Sequence, residues 1–193
     1  AGVTDITLSL NYQPSAIEKL LGNGSEFGVQ LRYLIEPSPM GTAGAYKFAE
    51  KFLEETTIVL NGDILTDIDL LSVANKHKQD NALATIVLTP VENPSAYGLV
   101  QVGENSDILR FLEKPSLEEI ERLKINTINA GIYIFEPSVL NYIPANENYS
   151  FEYQLFPNLL RNKEKFQAFV ANENYWLDIG TKERYLQANL DLI

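Results

Sequence analysis

Two short stretches of the sequence each place a carboxylate directly after an apolar run. The letters NGD at 61–63 follow the run from Thr57 to Leu60, and WLDIGT at 176–181 closes an aromatic run near the other end of the chain. Open α/β sheets bind their ligands beyond the carboxyl ends of the strands. Mg²⁺ favours few protein carboxylates and keeps its other positions for phosphate and water. The two stretches therefore predict that Asp63 and Asp178 hold one Mg²⁺ together.

Each stretch also has a purely structural interpretation. Asn-Gly-Asp is a common turn sequence, because Asn and Gly accept a positive φ. The later stretch fits a core strand whose Thr181 caps the helix that follows it. Spacing alone leaves open whether the two aspartates meet in the folded chain.

Polar side chains suited to a sugar phosphate lie between these two stretches. The letters FLEKP at 111–115 carry Glu113 and Lys114, and NAG at 129–131 carries Asn129. A carboxylate and an amide can bond sugar hydroxyls, and an ammonium can pair with a phosphate. Each piece alone is weak, since a Glu-Lys pair before a proline is typical of a solvated strand end.

Strand and helix patterns alternate along the chain. Strands are expected at 5–10, 29–35, 57–60, 82–89 and 130–135, a hairpin-like insertion at 98–101 and 107–113, and helices at 14–21, 42–52, 69–79, 117–123, 153–160 and 182–190. This alternation indicates an α/β core with a mixed, mainly parallel sheet flanked by helices. No internal repeat or linker divides the chain, so residues 1–193 are expected to form one domain.

The composition excludes several classes of function. The chain has 193 residues, with 26 acidic against 15 basic side chains and a formal charge of -11, and no basic run appears, which argues against a nucleic-acid partner. Cysteine is absent, so disulfides and thiolate chemistry are excluded and a cytoplasmic location is the simplest expectation. No apolar run is long enough to span a membrane. A homo-oligomer is compatible with the sequence, which does not specify an oligomeric state.

Six stretches occur in an order that is far more specific than any one of them. They are EPSPMGTAGA at 36–45, NGD at 61–63, YGLV at 97–100, FLEKP at 111–115, NAGIYIF at 129–135 and WLDIGT at 176–181. In this order they resemble the sugar-nucleotide pyrophosphorylases, a family of nucleotidyltransferases, over essentially the whole chain. The resemblance implies a Rossmann-like nucleotide-diphospho-sugar transferase fold and a reaction between a nucleoside triphosphate and a sugar 1-phosphate.

The resemblance also implies roles for individual residues. The metal-binding aspartates of the family match Asp63 and Asp178, and its Glu-Lys-Pro pair, which meets sugar and phosphate, matches Glu113 and Lys114. Sugar contacts are implied for Gly98 and Asn129, and nucleobase contacts for Gly41 and Thr42. Lys114 joins the two aspartates as a catalytic candidate.

The chain departs from the family pattern in one respect. The glycine-rich, arginine-containing loop that cradles the triphosphate, and the Pro-Lys segment after it, are expected several tens of residues before Ala1 and occur nowhere in these 193 residues. Without those backbone donors and cations, the 193-residue chain alone is expected to be almost inactive.

The carboxylate of Glu36 indicates which nucleobase the family's base-binding loop would accept in this chain. The resemblance places the loop after Glu36 against the nucleobase, and a carboxylate only accepts hydrogen bonds. Guanine offers two adjacent donors, whereas uracil and thymine present carbonyl oxygens beside a single N–H. Glu36 therefore predicts GTP as the nucleotide. With this base, the resemblance implies GDP-mannose as the product, formed from GTP and mannose 1-phosphate, with a glucose-1-phosphate uridylyl- or thymidylyltransferase as the alternative.

Two further interpretations come from other classes of protein. In a glycosyltransferase that consumes a sugar nucleotide, Asp67 and Asp69 would form the metal-binding Asp-x-Asp pair. A non-catalytic sugar-nucleotide-binding subunit would suit the missing phosphate loop. Outside these motifs, His77 between two lysines is expected on the surface, and Phe151, Tyr153 and Phe156 are expected to pack a helix.

Overall fold

The computed structural model describes residues 2–91, 94, 97–112, 116, 118–119, 123 and 125–193. These residues form two compact units, one of Ala1–Glu55 with Pro137–Asn158 and one of Thr56–Glu136 with Leu159–Ile193. The expected helix at 117–123 lies largely outside the described residues. None of the described helices is both long and apolar enough to cross a bilayer.

The first unit contains a parallel pair of strands, two α-helices and a π-helical turn. Its elements are β1 (Asp5–Leu10), α1 (Pro14–Leu21), β2 (Gln30–Ile35), α2 (Gly41–Phe48) and a π-helical turn at Phe151–Leu155. Strands β1 and β2 pair in parallel from Asp5 opposite Gln30 to Leu10 opposite Ile35. Helix α4 (Phe156–Arg161) follows the π-helical turn and continues in sequence into the second unit.

Aromatic packing stabilises the first unit beneath α2. The Phe151 ring stacks on Phe156 with centroids 5.7 Å apart, and Tyr46 of α2 lies 6.1 Å from Phe151. The predicted packing of Phe151 and Phe156 is confirmed, since both are buried. The prediction for Tyr153 is wrong, because the start of this helix is a π-turn that leaves Tyr153 62% exposed.

The second unit is built around a six-stranded mixed sheet. Its elements are β3 (Thr57–Leu60), β4 (Ile64–Thr66), α3 (Leu70–Asp80), β5 (Ala84–Pro90), β6 (Leu99–Val102), β7 (Ile108–Leu112), β8 (Thr127–Phe135), β9 (Phe166–Val170), β10 (Trp176–Asp178) and α5 (Lys182–Asp191). The long strand β8 pairs with β5 along one edge and with β6 and β3 along the other. Short strands β4 and β10 form a separate antiparallel pair.

The sheet is mixed as expected, but it is not mainly parallel. Strand β8 runs antiparallel to all three of its neighbours, and β6 is antiparallel to β7. Among the described strands of this sheet, only β5 and β9 pair in parallel. The hairpin-like insertion at β6 and β7 is confirmed. Sequence patterns identify strands, whereas the direction of β8 depends on partners that are distant in sequence.

His77 is buried, which corrects the expectation that it lies on the surface. It follows Val73 by one turn of α3, so both side chains face the sheet. The ring is 1% exposed, with Nδ1 2.7 Å from the Thr85 hydroxyl and Nε2 3.1 Å from Glu136 Oε1. The Thr56 hydroxyl donates to that same Glu136 oxygen at 2.8 Å. The two flanking lysines lie beside the buried face of α3, so they do not indicate that His77 itself is exposed.

We expect His77→Ala to lower the free energy of unfolding by about 2–4 kcal/mol, because it leaves a cavity and the buried Thr85 hydroxyl loses its partner. Urea denaturation of the 193-residue chain measures this change. Lys78→Ala, one position along on the exposed face, is the control and should have almost no effect. Equal losses from the two substitutions would show that the His77 contacts contribute nothing.

Candidate functional site

The NGD turn is docked onto strand β8 next to it. Strand β3 ends at Leu60, and the Asn61 N–H then donates to the Gly131 carbonyl at 2.9 Å. The turn leaves Asp63 exposed at the start of β4. The backbone of the NGD stretch thus forms a turn, and this turn leaves Asp63 exposed to solvent.

Strand β10 brings the second aspartate beside the first. In the antiparallel pair Asp178 stands opposite Ile64, and the Ile179 N–H donates to the Asp63 carbonyl at 2.8 Å. A Cβ built on Gly180 would lie 3.0 Å from Asp178 Oδ1 and 3.5 Å from Asp63 Oδ2. One oxygen of each carboxylate therefore faces the same point beside Gly180.

Asp178 is held in a fixed orientation. Its Oδ1 accepts the Gly180 N–H at 2.8 Å, and its Oδ2 accepts from Arg184 Nη1 at 2.7 Å. Arg184 lies in the first turn of α5, a helix capped by the Thr181 hydroxyl as expected from the sequence. We call Asp63, Asp178, Gly180 and Arg184 the carboxylate site.

The donor set of the carboxylate site suits a hard cation. Two carboxylates, one on an exposed residue and one on a half-buried residue, offer oxygen ligands near each other. Within the described part of the chain there is no group of three or more His, Cys, Asp or Glu side chains that could hold a metal. Two carboxylates suit an ion such as Mg²⁺, which takes its remaining ligands from water and phosphate.

A bulge in β8 lies against both carboxylate-bearing stretches. Pairing with β5 shifts register between Ile86 and Leu88, and Gly131 within the bulge has φ +71°. The Gly131 N–H donates to Asn129 Oδ1 at 2.9 Å, while Asn129 Nδ2 donates to the Tyr133 hydroxyl at 2.8 Å. The Asn129 side chain thus shapes the bulge that positions the NGD turn.

Gly98 and Asn129 come together at the start of β8. Leu99 of β6 stands opposite Ile128 of β8 in an antiparallel pair. Gly98 precedes Leu99 and Asn129 follows Ile128, so these two residues are adjacent across the pair. The ring of Tyr97 packs edge-on against Trp176 with centroids 6.0 Å apart, and Trp176 Nε1 donates to the Ala130 carbonyl at 2.8 Å. The aromatic pair therefore joins the predicted sugar residues to the strand that carries Asp178.

The predicted nucleobase residues lie in the first unit and have partners there. Glu36 Oε1 accepts from the Ser9 hydroxyl at 3.0 Å, and Glu36 Oε2 accepts from the Met40 N–H at 3.1 Å. Glu36 is half-buried, so its carboxylate stabilises the loop that follows it. The Thr42 hydroxyl accepts the Phe151 N–H at 2.8 Å.

Gly41 allows α2 to begin close to another segment of the first unit. It has φ +71°, and a Cβ there would lie 2.7 Å from the Tyr149 carbonyl. That carbonyl accepts the N–H groups of Ala43 and Gly44, both at 2.9 Å. The glycines and threonine of the EPSPMGTAGA stretch therefore have a packing role in addition to the base contacts that they are predicted to make.

Two further predictions concern residues outside this geometry. Glu113 and Lys114 lie outside the described residues. Asp67 accepts from Asn174 Nδ2 at 3.0 Å and from the Tyr175 N–H at 2.9 Å. Asp69 caps α3 by accepting from the Leu71 N–H at 3.0 Å and from the Ser72 hydroxyl at 2.6 Å. The bond from the Ser72 hydroxyl, and after it the bond from the Leu71 N–H, holds the pKa of Asp69 below its ordinary value. Both carboxylates are occupied in local structure, which argues against the Asp-x-Asp metal pair of a glycosyltransferase.

Sequence reasoning missed Arg184 and Tyr97. A cation in the first turn of a helix is disfavoured by the helix dipole. An arginine three residues after a Thr cap therefore signals a nearby anion, and Asp178 is that anion. Tyr97 belongs to the YGLV stretch, but nothing in that stretch indicates its contact with Trp176, which is distant in sequence.

The chain is similar in sequence to known proteins along its whole length. The sequence model of the family described as Nucleotidyl transferase matches residues 1–193. A mannose-1-phosphate guanylyltransferase of Mycobacterium tuberculosis is 35% identical over 195 residues, covering 100% of this chain and 53% of the relative. A UTP–glucose-1-phosphate uridylyltransferase of Synechocystis is 37% identical, covering 97% of this chain and 51% of the relative. The chain thus spans about half the length of these curated relatives.

A solved structure supports the same fold. HddC from Yersinia pseudotuberculosis, crystallised with GMP-PN, superposes with a TM-score of 0.83 at 27% sequence identity. The match covers 100% of this chain and 80% of that chain. The expected nucleotide-diphospho-sugar transferase fold is therefore confirmed as a mixed α/β architecture with helices flanking a central sheet.

Proposed function

Since the chain belongs to the nucleotidyl transferase family, we propose that it joins a nucleoside triphosphate to a sugar 1-phosphate, with GTP and mannose 1-phosphate as the substrates. The observation that carries this proposal is the pair of carboxylates at the carboxylate site, where Asp63 and Asp178 face one point. Such a pair suits phosphoryl chemistry, because it can hold a cation against substrate phosphates.

The reaction needs positioning more than covalent chemistry. An oxygen of the sugar phosphate attacks the α-phosphorus, a new P–O bond forms, and the bond to the pyrophosphate oxygen breaks. When bound, Mg²⁺ supplies positive charge to the phosphate oxygens. Asp63 and Asp178 would hold it, with the Gly180 N–H and Arg184 fixing the Asp178 carboxylate. No His or Cys nucleophile is required.

The sugar phosphate would lie along the start of β8. Gly98 and Asn129 adjoin one strand pair there. Glu113 and Lys114, which lie outside the described residues, are predicted to add a hydroxyl acceptor and a phosphate-binding cation. Asn129 Oδ1 already accepts the Gly131 N–H, so a sugar hydroxyl would meet an amide held in one orientation.

The proposed choice of GTP rests on Glu36, Gly41 and Thr42. Glu36 is fixed by Ser9 and by the Met40 N–H, but each carboxylate oxygen has a second lone pair that can accept a guanine N–H. The names of the M. tuberculosis relative and of the nucleotide bound to HddC agree with a guanine site. The Synechocystis relative supports the alternative, a glucose-1-phosphate uridylyltransferase.

The test of the proposed function uses the protein translated from its complete reading frame. Pyrophosphate release is measured with each of the four common triphosphates and with mannose 1-phosphate or glucose 1-phosphate. The highest kcat/KM is expected for GTP with mannose 1-phosphate. Higher values for UTP or dTTP with glucose 1-phosphate would establish the alternative, and nucleotide binding without any pyrophosphate release would indicate a non-catalytic subunit.

We expect Glu36→Gln to reduce the preference for GTP over UTP by about ten- to a hundredfold, because a charge-assisted pair of hydrogen bonds to guanine is lost. The ratio of the two kcat/KM values measures this effect. Ser9→Ala is the matched control, since it removes a hydroxyl donor from Glu36 and keeps the negative charge. If Glu36→Gln lowers only the melting temperature and leaves the ratio unchanged, Glu36 anchors its loop and does not read the base.

A further inference from the structure

Arg184 neutralises one of the two carboxylates that the proposed function assigns to the metal. Its Nη1 lies 2.7 Å from Asp178 Oδ2, and its guanidinium carbon lies 5.5 Å from the centroid of the Tyr97 ring. The Arg184 and Asp178 side chains are 35% and 29% exposed, so water screens the pair only in part. The aromatic face and the ion pair together fix the guanidinium beside the Asp178 carboxylate.

Both oxygens of Asp178 therefore have a donor before any ligand arrives. Oδ1 accepts from the Gly180 N–H, and Oδ2 accepts from Arg184. The guanidinium group of an arginine carries a fixed positive charge. A divalent cation at the point shared by Asp63 and Asp178 meets the repulsion of this fixed positive charge. The site thus attracts a free metal ion less strongly than two bare aspartates would.

We propose that Arg184 is a positioning residue that lowers the affinity of the Asp63–Asp178 pair for a free divalent cation, so that the metal enters together with substrate phosphates. The inference rests on the proposed function, which makes these two aspartates the metal ligands. Phosphate oxygens add the negative charge that Arg184 removes, and the guanidinium is a good partner for a phosphate that comes within its reach. The site then binds a metal ion that arrives with negatively charged phosphates more tightly than it binds a free metal ion.

The test measures Mn²⁺ binding to the 193-residue chain without nucleotide, by the electron paramagnetic resonance signal of free Mn²⁺. Arg184→Gln should bind Mn²⁺ about three- to tenfold more tightly than the wild type, because a nearby positive charge is lost from a partly screened site. Arg184→Met serves as a second neutral variant. Arg184→Lys keeps the charge and should bind Mn²⁺ with an affinity close to that of the wild type.

The first unit offers a matched control for the loss of an arginine. Arg32 also pairs with an aspartate, its Nη2 lying 2.8 Å from Asp5 Oδ2, and it also lies over an aromatic ring, 5.3 Å from the centroid of Phe52. Arg32→Gln therefore changes the net charge by the same amount and breaks the same kinds of contact. It should leave Mn²⁺ affinity unchanged.

The outcomes separate this inference from the proposed function. Asp63→Asn should weaken Mn²⁺ binding in the wild type and in Arg184→Gln. If it weakens neither, Mn²⁺ binds elsewhere and the metal assignment of the proposed function is wrong. If Asp63→Asn weakens binding but neutral replacement of Arg184 does not tighten it, only the role of Arg184 is overturned. The role of Arg184 is also overturned if Arg32→Gln tightens Mn²⁺ binding as much as Arg184→Gln does. The same holds if neither the wild type nor Arg184→Gln binds Mn²⁺ at millimolar concentration.

Discussion

Replacement of Asp63 by asparagine should lower kcat/KM for pyrophosphate release by about a thousandfold or more in the protein translated from its complete reading frame. Asparagine keeps the shape of the side chain and one acceptor oxygen, but it removes the negative charge that holds a cation against the phosphates. Asp178→Asn should cost at least as much, because it also leaves the Arg184 guanidinium without its anion. Steady-state pyrophosphate release at saturating Mg²⁺ measures both effects.

Asp67→Asn is the control for these two substitutions. Asp67 is an exposed aspartate that accepts from Asn174 and the Tyr175 N–H, and it belongs to the Asp-x-Asp pair of the glycosyltransferase interpretation. Its replacement should leave kcat/KM close to that of the unaltered protein. A large loss from Asp67→Asn together with a small loss from Asp63→Asn would reverse the assignment and favour the glycosyltransferase.

The largest effect on stability is expected at Gly131. We expect Gly131→Ala to lower the free energy of unfolding by about 2–4 kcal/mol, because φ is +71° and the new Cβ would lie 2.9 Å from Asn61 Nδ2 and 3.1 Å from Ile64 Cγ1. The clash displaces the turn that carries Asp63, so pyrophosphate release should fall as well. Urea denaturation measures the first effect, and the same activity assay measures the second.

Gly62→Ala tests whether any added methyl group in this turn would do the same. A Cβ on Gly62 meets nothing within 4 Å, and its φ lies outside the left-handed range. It should therefore change the free energy of unfolding by less than about 1 kcal/mol. Similar losses for the two variants would show that the bulge at Gly131 does not depend on a glycine.

The parts of the fold that depend on local sequence could be predicted. The Thr181 cap, the helix at Pro14–Leu21 and the strand at Thr57–Leu60 are determined by neighbouring residues, so their patterns are visible in the chain. The proximity of Asp63 and Asp178 could be proposed because both were expected at the ends of strands, but their meeting required the pairing of β4 with β10. That pairing joins segments that no local pattern connects.

The remaining features depend on contacts that are distant in sequence. The bulge at Gly131 arises because β8 pairs with β5 on one edge while its backbone receives Asn61 on the other. The burial of His77 depends on Thr85 and Glu136 as partners, neither of which is marked by its own sequence context. The partners of Glu36 were likewise invisible, because a carboxylate at the end of a strand looks the same whether it caps a loop or faces solvent.

Trp176 is the single tryptophan of the chain, and it lies two residues before Asp178. Its indole N–H bonds to Ala130, and its ring contacts Tyr97, which precedes the predicted sugar residue Gly98. The intrinsic fluorescence of the protein above the tyrosine band thus originates from one position beside the carboxylate site. Binding of a sugar phosphate at that site, or of a paramagnetic ion that quenches emission, can therefore be followed by tryptophan fluorescence without any label. The reporting residue is Trp176, whose contacts with Ala130 and Tyr97 are part of the native structure.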